Sequence, residues 1–156
     1  MNLLNLIHNL NLFQIHLSKE KVEMYVKRLF YDDFKEEVDI EKSIINPTWE
    51  EIETVIDMLD GEKVTQIIMD SGNEDDYLCI GGGNGGLCNV FISKNDNEII
   101  HTLINSYFTP MLLHRLVTGG QEGDFEDKVC VSIEIAKRVV KKYCDWGQID
   151  DSFAWE

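Results

Sequence analysis

The sequence predicts an α+β fold, a single antiparallel β-sheet of the meander type with two to three helices packed against it. Three observations carry that prediction. Residues 77–93, reading YLCIGGGNGGLCNVFIS, set two short runs rich in aromatic and β-branched residues around a glycine-rich break. Such runs are too short for an ordinary helix and read as strands, and the glycines supply the positive φ that a tight reversal needs. Further short apolar segments separated by polar turns recur from Lys63 to Thr118. Two other segments, Pro47–Gly61 and one running from Cys130 or Ser132 to Cys144, carry apolar residues at helical spacing.

At 156 residues the chain suits one domain, large enough to bury a core without disulfides or metals. Residues 1–23 read as a leader, helical or mobile, and 24–156 as the folded domain. The leader is apolar but interrupted by asparagine and lacks a basic n-region, so it makes a poor signal peptide and too short a membrane span. The charge is unusual: 29 acidic against 14 basic side chains, a formal net charge of −15. That balance argues against nucleic acid and against anionic membranes as direct ligands. It suits a basic protein partner approached by electrostatic steering. Cys79, Cys88, Cys130 and Cys144 show no C-x-x-C spacing and read as free thiols in a reducing, cytoplasmic setting.

Taken in order, Met24–Phe34 favours a strand through its aromatic content, with a helix starting at Ser18 as the alternative, and Lys35–Ile45 reads as a charged connector. In Pro47–Gly61, Thr48 caps a helix and Glu51 completes a capping box. Trp49, Ile52, Val55, Ile56 and Leu59 share one face, and Asp60-Gly61 ends the helix. Lys63–Met69 alternates as a strand, and Asp70–Asp76 forms an acidic turn. The central hairpin follows, then a polar turn at Lys94–Glu98 and strands at Ile99–Ile104 and Leu112–Thr118. Gly119–Asp127 reads as an acidic, glycine-rich loop. The second helix places Ile133, Ala136, Val139, Val140 and Tyr143 on one stripe, ends near Gly147, and is followed by a tail anchored by Trp155.

Chemistry is sparse. A phosphate cradle needs a glycine-rich loop that feeds a helix N-terminus, whereas Gly81–Gly86 feeds another strand. A small nucleotide-binding protein or hydrolase using that tip is therefore the alternative reading. A close backbone approach by a neighbouring element or partner is the plainer use of the glycines. His8, His16, His101 and His114 are isolated, and neither H-E-x-x-H nor a Cys/His cluster occurs. No catalytic residue, cofactor or metal is expected. What remains is a set of acidic clusters: Glu74, Asp75 and Asp76; Glu122, Asp124, Glu126 and Asp127; and Asp145, Asp150 and Asp151. With Tyr77 and Phe125 as neighbouring aromatic anchors, the first two clusters are candidate contacts for a basic protein.

The series TWEEIETVIDMLDG, LCIGGGNGG running into NVFIS, TGGQEGDFEDKVCVSIEIA and the terminal AWE resembles the family-one immunity proteins of bacterial polymorphic toxin systems, which include contact-dependent inhibition. Trp49, Leu59-Asp60-Gly61, Gly81-Gly82-Gly83 and Trp155 match the family's positions, over about Pro47 to Glu156. The resemblance implies a non-catalytic α+β protein that binds and neutralises the C-terminal domain of a cognate toxin, in such systems often a nucleic-acid deaminase or nuclease. A toxin that acts on nucleic acid is expected to present a basic surface, which an acidic partner would block by occluding the active site, with an exosite or an obstructed conformational change as the alternatives. The free protein is expected to be a monomer or weak dimer.

Overall fold

The computed structural model describes residues 23–156. The leader expected at the N-terminus therefore lies, up to residue 22, outside the described residues. The elements run β1 (Arg28–Tyr31), β2 (Phe34–Lys35), β3 (Val38–Asp39), β4 (Lys42–Ile45), α1 (Trp49–Asp57), β5 (Gln66–Asp70), β6 (Tyr77–Gly82), β7 (Leu87–Lys94), β8 (Ile99–Ile104), β9 (Leu113–Thr118), β10 (Gln121–Glu126), β11 (Val131–Ser132), α2 (Ile133–Trp146) and β12 (Ala154–Trp155). The fold is α+β, a mostly antiparallel open sheet with two helices on one face.

The sheet order is β12-β8-β7-β6-β5-β1-β4, with β11 pairing the first residues of β7. The glycine-rich hairpin β6–β7 thus stands in the middle. Because side chains alternate across a strand, the register separates two faces. Leu29, Met69, Leu78 and Ile92 stand in one cross-strand row, and Ile67, Ile80 and Val90 in the next. All are buried against Ile52, Val55 and Ile56 of α1 and Ala136, Val139, Val140 and Tyr143 of α2.

Both helices form where their caps lie. The Thr48 hydroxyl accepts from the Glu51 N–H at 3.2 Å, and Glu51 Oε2 accepts from the Thr48 N–H at 2.8 Å. Ser132 caps α2, accepting from the Ile135 N–H at 3.3 Å, and Gly147 closes it at φ +66°. α1 ends at Asp57, before Asp60-Gly61. Asp60 makes the turn that follows, its Oδ1 accepting from the N–H groups of Glu62, Lys63 and Val64. Burial pushes that carboxyl up, but the three donors outweigh burial and hold it below the usual range.

The structure corrects the sequence reading in two places. Lys35–Ile45 is no connector: it forms the β2–β3 hairpin, turned by Glu36 and Glu37 at φ +49° and +68°, and then edge strand β4 on β1. Gly119–Asp127 is no loop either. Gly119 and Gly120 make a tight turn, and β10 pairs β9 from Gln121↔Thr118 to Glu126↔Leu113. This two-stranded ribbon leaves the meander and folds across the face opposite the helices.

Candidate protein-binding surface

The glycine tip is where the ribbon docks. A Cβ on Gly81 would stand 2.5 Å from Thr118 Cγ2, and one on Gly83 would stand 2.5 Å from the backbone of Leu59 and Asp60. The tip therefore accommodates β9 on one side and the end of α1 on the other, the close approach that glycine permits. Asn84 completes the joint, its Oδ1 accepting from the Val117 N–H at 2.9 Å. At the ribbon's turn, the Gly120 N–H donates to Thr65 Oγ1 at 2.9 Å, and that hydroxyl donates to the buried Asp32 carboxylate. Asp32 Oδ1 also accepts from the N–H groups of Thr65 and Gln66 at 2.7 and 2.9 Å. Gly81, Gly82 and Gly83 are thus committed to internal packing, whereas Gly85 and Gly86 lie exposed with open space where a Cβ would stand.

Beyond the ribbon, the second face of the sheet carries no covering helix among the described residues. Phe30, Ile68, Cys79, Phe91 and Thr102 form a cross-strand row there. Phe30, Ile68, Phe91 and Thr102 are half-buried. Tyr77 stacks edge-on against Phe91 with ring centroids 6.1 Å apart, and the Arg28 guanidinium lies 5.6 Å from the Phe30 centroid. Arg28 is held by a two-point pair with buried Asp70, at 2.7 and 2.9 Å. A hollow of about 200 Å³ opens beside Phe30, walled by Tyr31, Asp32, Asp39, Glu41, Gln66, Ile68 and Gly119.

β6 spans about 17 Å at strand rise; the first acidic cluster lies in the turn that precedes it, and the ribbon that carries the second docks at its far end, against Gly81 and Gly82. Glu74, Asp75 and Asp76 occupy the β5–β6 turn. Asp76 Oδ1 accepts from the Asn95 N–H at 2.9 Å, and the Asp75 carbonyl accepts from the Asp96 N–H at 3.0 Å. These bonds bring the β7–β8 turn alongside, so Asp96 and Glu98 enlarge this acidic end, two residues that sequence reading did not assign to it. The Tyr77 hydroxyl donates to Asn97 Oδ1 at 2.7 Å across the same pair of turns.

The ribbon holds the other cluster. Glu122, Asp124 and Glu126 are exposed on its outward side, with Arg115 pairing Glu122 at 3.0 Å and Asp124 at 3.3 Å. Phe125 stands opposite His114 on the other side and is half-buried. Asp127 looks inward, bonding the Thr109 N–H at 2.7 Å and His114 Nε2 at 2.6 Å. Those two partners, the Thr109 N–H first, hold its carboxyl below the usual range. The third acidic cluster sits beside the lysines of α2: Lys141 pairs Asp145 at 2.6 Å, and Lys142 approaches Asp151 at 3.8 Å.

The structural residues matched by the resemblance fall on the helical side and the tip. Trp49 and Trp155 are half-buried against the core, and Trp155 Nε1 donates to the Asp150 carbonyl at 2.9 Å. Among the described residues no group of three His, Cys, Asp or Glu side chains is placed to hold a metal ion, and no helix is long and apolar enough to cross a membrane.

Comparison with curated proteins and with solved structures returned no match. A family model described as immunity protein Imm1 matches residues 40–156, which takes in the glycine tip, the ribbon, both helices and all but the first three strands. The chain belongs to the Imm1 family of immunity proteins.

Proposed function

We propose that this protein is the inhibitor of a toxin–immunity pair, binding the C-terminal domain of a cognate secreted toxin in the cytoplasm and covering its active site without doing chemistry itself. The family match over residues 40–156 carries this reading. The net charge of −15 supports a basic partner. A toxin that acts on nucleic acid, as a deaminase or nuclease does, needs a basic cleft, and carboxylates compete with phosphates for its Lys and Arg side chains.

The contacts in this reading are the acidic end, Glu74, Asp75, Asp76 and Tyr77 joined by Asp96 and Glu98, and the outward ribbon face of Glu122, Asp124 and Glu126. Phe125 and Asp127 support the ribbon from behind. The test is co-expression with the C-terminal domain of the large secreted protein encoded next door. Survival with a co-purifying complex supports the reading; a demonstrably toxic domain that is neither bound nor blocked refutes it. The double reversal Asp75→Lys, Asp76→Lys should slow association and weaken its salt dependence. Unchanged kinetics remove that turn from the interface.

A further inference from the structure

The β8–β9 connection, residues 105–112, exposes apolar side chains on a fixed backbone. Tyr107 is 95% exposed and Met111 97%, with Phe108, Leu112 and Leu113 also exposed. The loop is nevertheless tied down. Asn105 accepts from the Tyr107 N–H through Oδ1 and from the Phe108 N–H through its carbonyl, at 3.0 and 3.2 Å. Asp127 accepts from the Thr109 N–H at 2.7 Å and donates its own N–H to the Leu112 carbonyl at 2.9 Å. The Leu112 N–H closes a turn onto the Thr109 carbonyl at 3.3 Å. In that turn Pro110 precedes Met111, and Met111 sits at φ +65°, the third turn position that favours glycine or asparagine. A bulky side chain held exposed on a strained backbone needs a use that the described residues do not supply.

Resting on the immunity reading, the geometry points to residues 105–113 as the anchor of the toxin interface, with Tyr107 and Met111 entering an apolar cleft on the toxin. The cleft is ringed by Lys and Arg, because Glu122, Asp124 and Glu126 stand exposed on the adjoining ribbon, where Arg115 pairs only the first two. The pinned backbone lowers the ordering cost of binding, and aromatic anchors with acidic neighbours suit a desolvated centre and a charged rim.

The test measures the Kd of the full-length protein for its toxin domain, with free-protein mass and thermal stability alongside. Tyr107→Ala and Met111→Gly should each weaken binding by about thirtyfold or more. Neither should lower stability, and Met111→Gly should raise it by relieving the turn. Trp146→Ala, which removes a side chain 61% exposed at the end of α2, should leave Kd unchanged. If wild-type protein binds and protects while both loop variants bind equally well, the anchor is elsewhere and the immunity reading stands. If wild-type protein neither binds nor protects, both fall. A free dimer that Tyr107→Ala dissociates, with toxin affinity unchanged, would assign the loop to a second copy and overturn the proposal.

Discussion

Replacing Gly83 by alanine tests the joint on which the candidate surface rests. Gly83 has φ +106° and ψ −16°. Its new Cβ would lie 2.5 Å from Asp60 N and Leu59 C, and 2.7 Å from Leu59 O. Ordinary contact needs about 3.5–4.0 Å, so the tip and the end of α1 must separate by about 1 Å. Neither is free to do so, since the Gly83 N–H bonds the Leu87 carbonyl at 2.8 Å and the Asp60 N–H bonds the Val64 carbonyl at 3.1 Å. Overpacking costs about 1–3 kcal/mol and the backbone conformation about 1–3 kcal/mol, so the expected loss is about 4 kcal/mol. At about 2–4 °C per kcal/mol for a chain of this size, Tm falls by about 12 °C. Gly85 is the control: it too has positive φ, +62°, but its Cβ would meet nothing within 4 Å. Gly85→Ala should cost about 1 kcal/mol, or about 3 °C. Thermal and urea unfolding followed by circular dichroism measures both. Equal shifts for the two variants would refute the claim that close approach, rather than conformation alone, requires glycine at the tip.

Acid should loosen the turns held by Asp60 and Asp127. Both carboxyls are held below their usual range, so each stabilises the fold above about pH 4 and that contribution is lost as pH falls through the folded values. Asp60→Asn and Asp127→Asn should each flatten the decline of the urea midpoint between pH 5 and pH 2; an unaltered profile contradicts the assignment. All four thiols are buried, and burial pushes Cys79 and Cys88 up to about 12 and Cys130 to about 11. The native protein should resist a thiol-specific reagent at pH 8 and react fully only when unfolded; rapid native labelling contradicts this.

What could be read ahead of the structure was local. The Thr48–Glu51 capping box and the Gly147 terminus each lie within a few residues of the helix they delimit. The β6–β7 hairpin declared itself because strand-forming runs and its glycines are contiguous. The β2–β3 hairpin stayed hidden because Glu36 and Glu37, ordinary charged residues, adopt the positive φ of its turn. β10 stayed hidden because its outward positions are Glu122, Asp124 and Glu126 and one inward position is Gly123, a pattern that reads as a loop. What makes it a strand is distant: β9, its partner, is positioned by Asn84 and its turn by Thr65, residues far removed in sequence. The acidic clusters were legible as charge, but their separation along β6 and the enlargement of one by Asp96 and Glu98 depend on the sheet register. Exposure of Tyr107 and Met111 had no signal at all, since the same apolar residues in another turn would be buried.

The central claim is stoichiometric inhibition, and the most direct measurement titrates the toxin domain's activity with this protein at a fixed toxin concentration well above Kd. The account predicts a linear fall to zero at one equivalent, accompanied by a complex whose mass is the sum of the two chains. Complete inactivation by a small fraction of an equivalent would make the protein a catalytic antagonist, and activity that persists beyond several equivalents would show that it does not inhibit this toxin; either result contradicts the account.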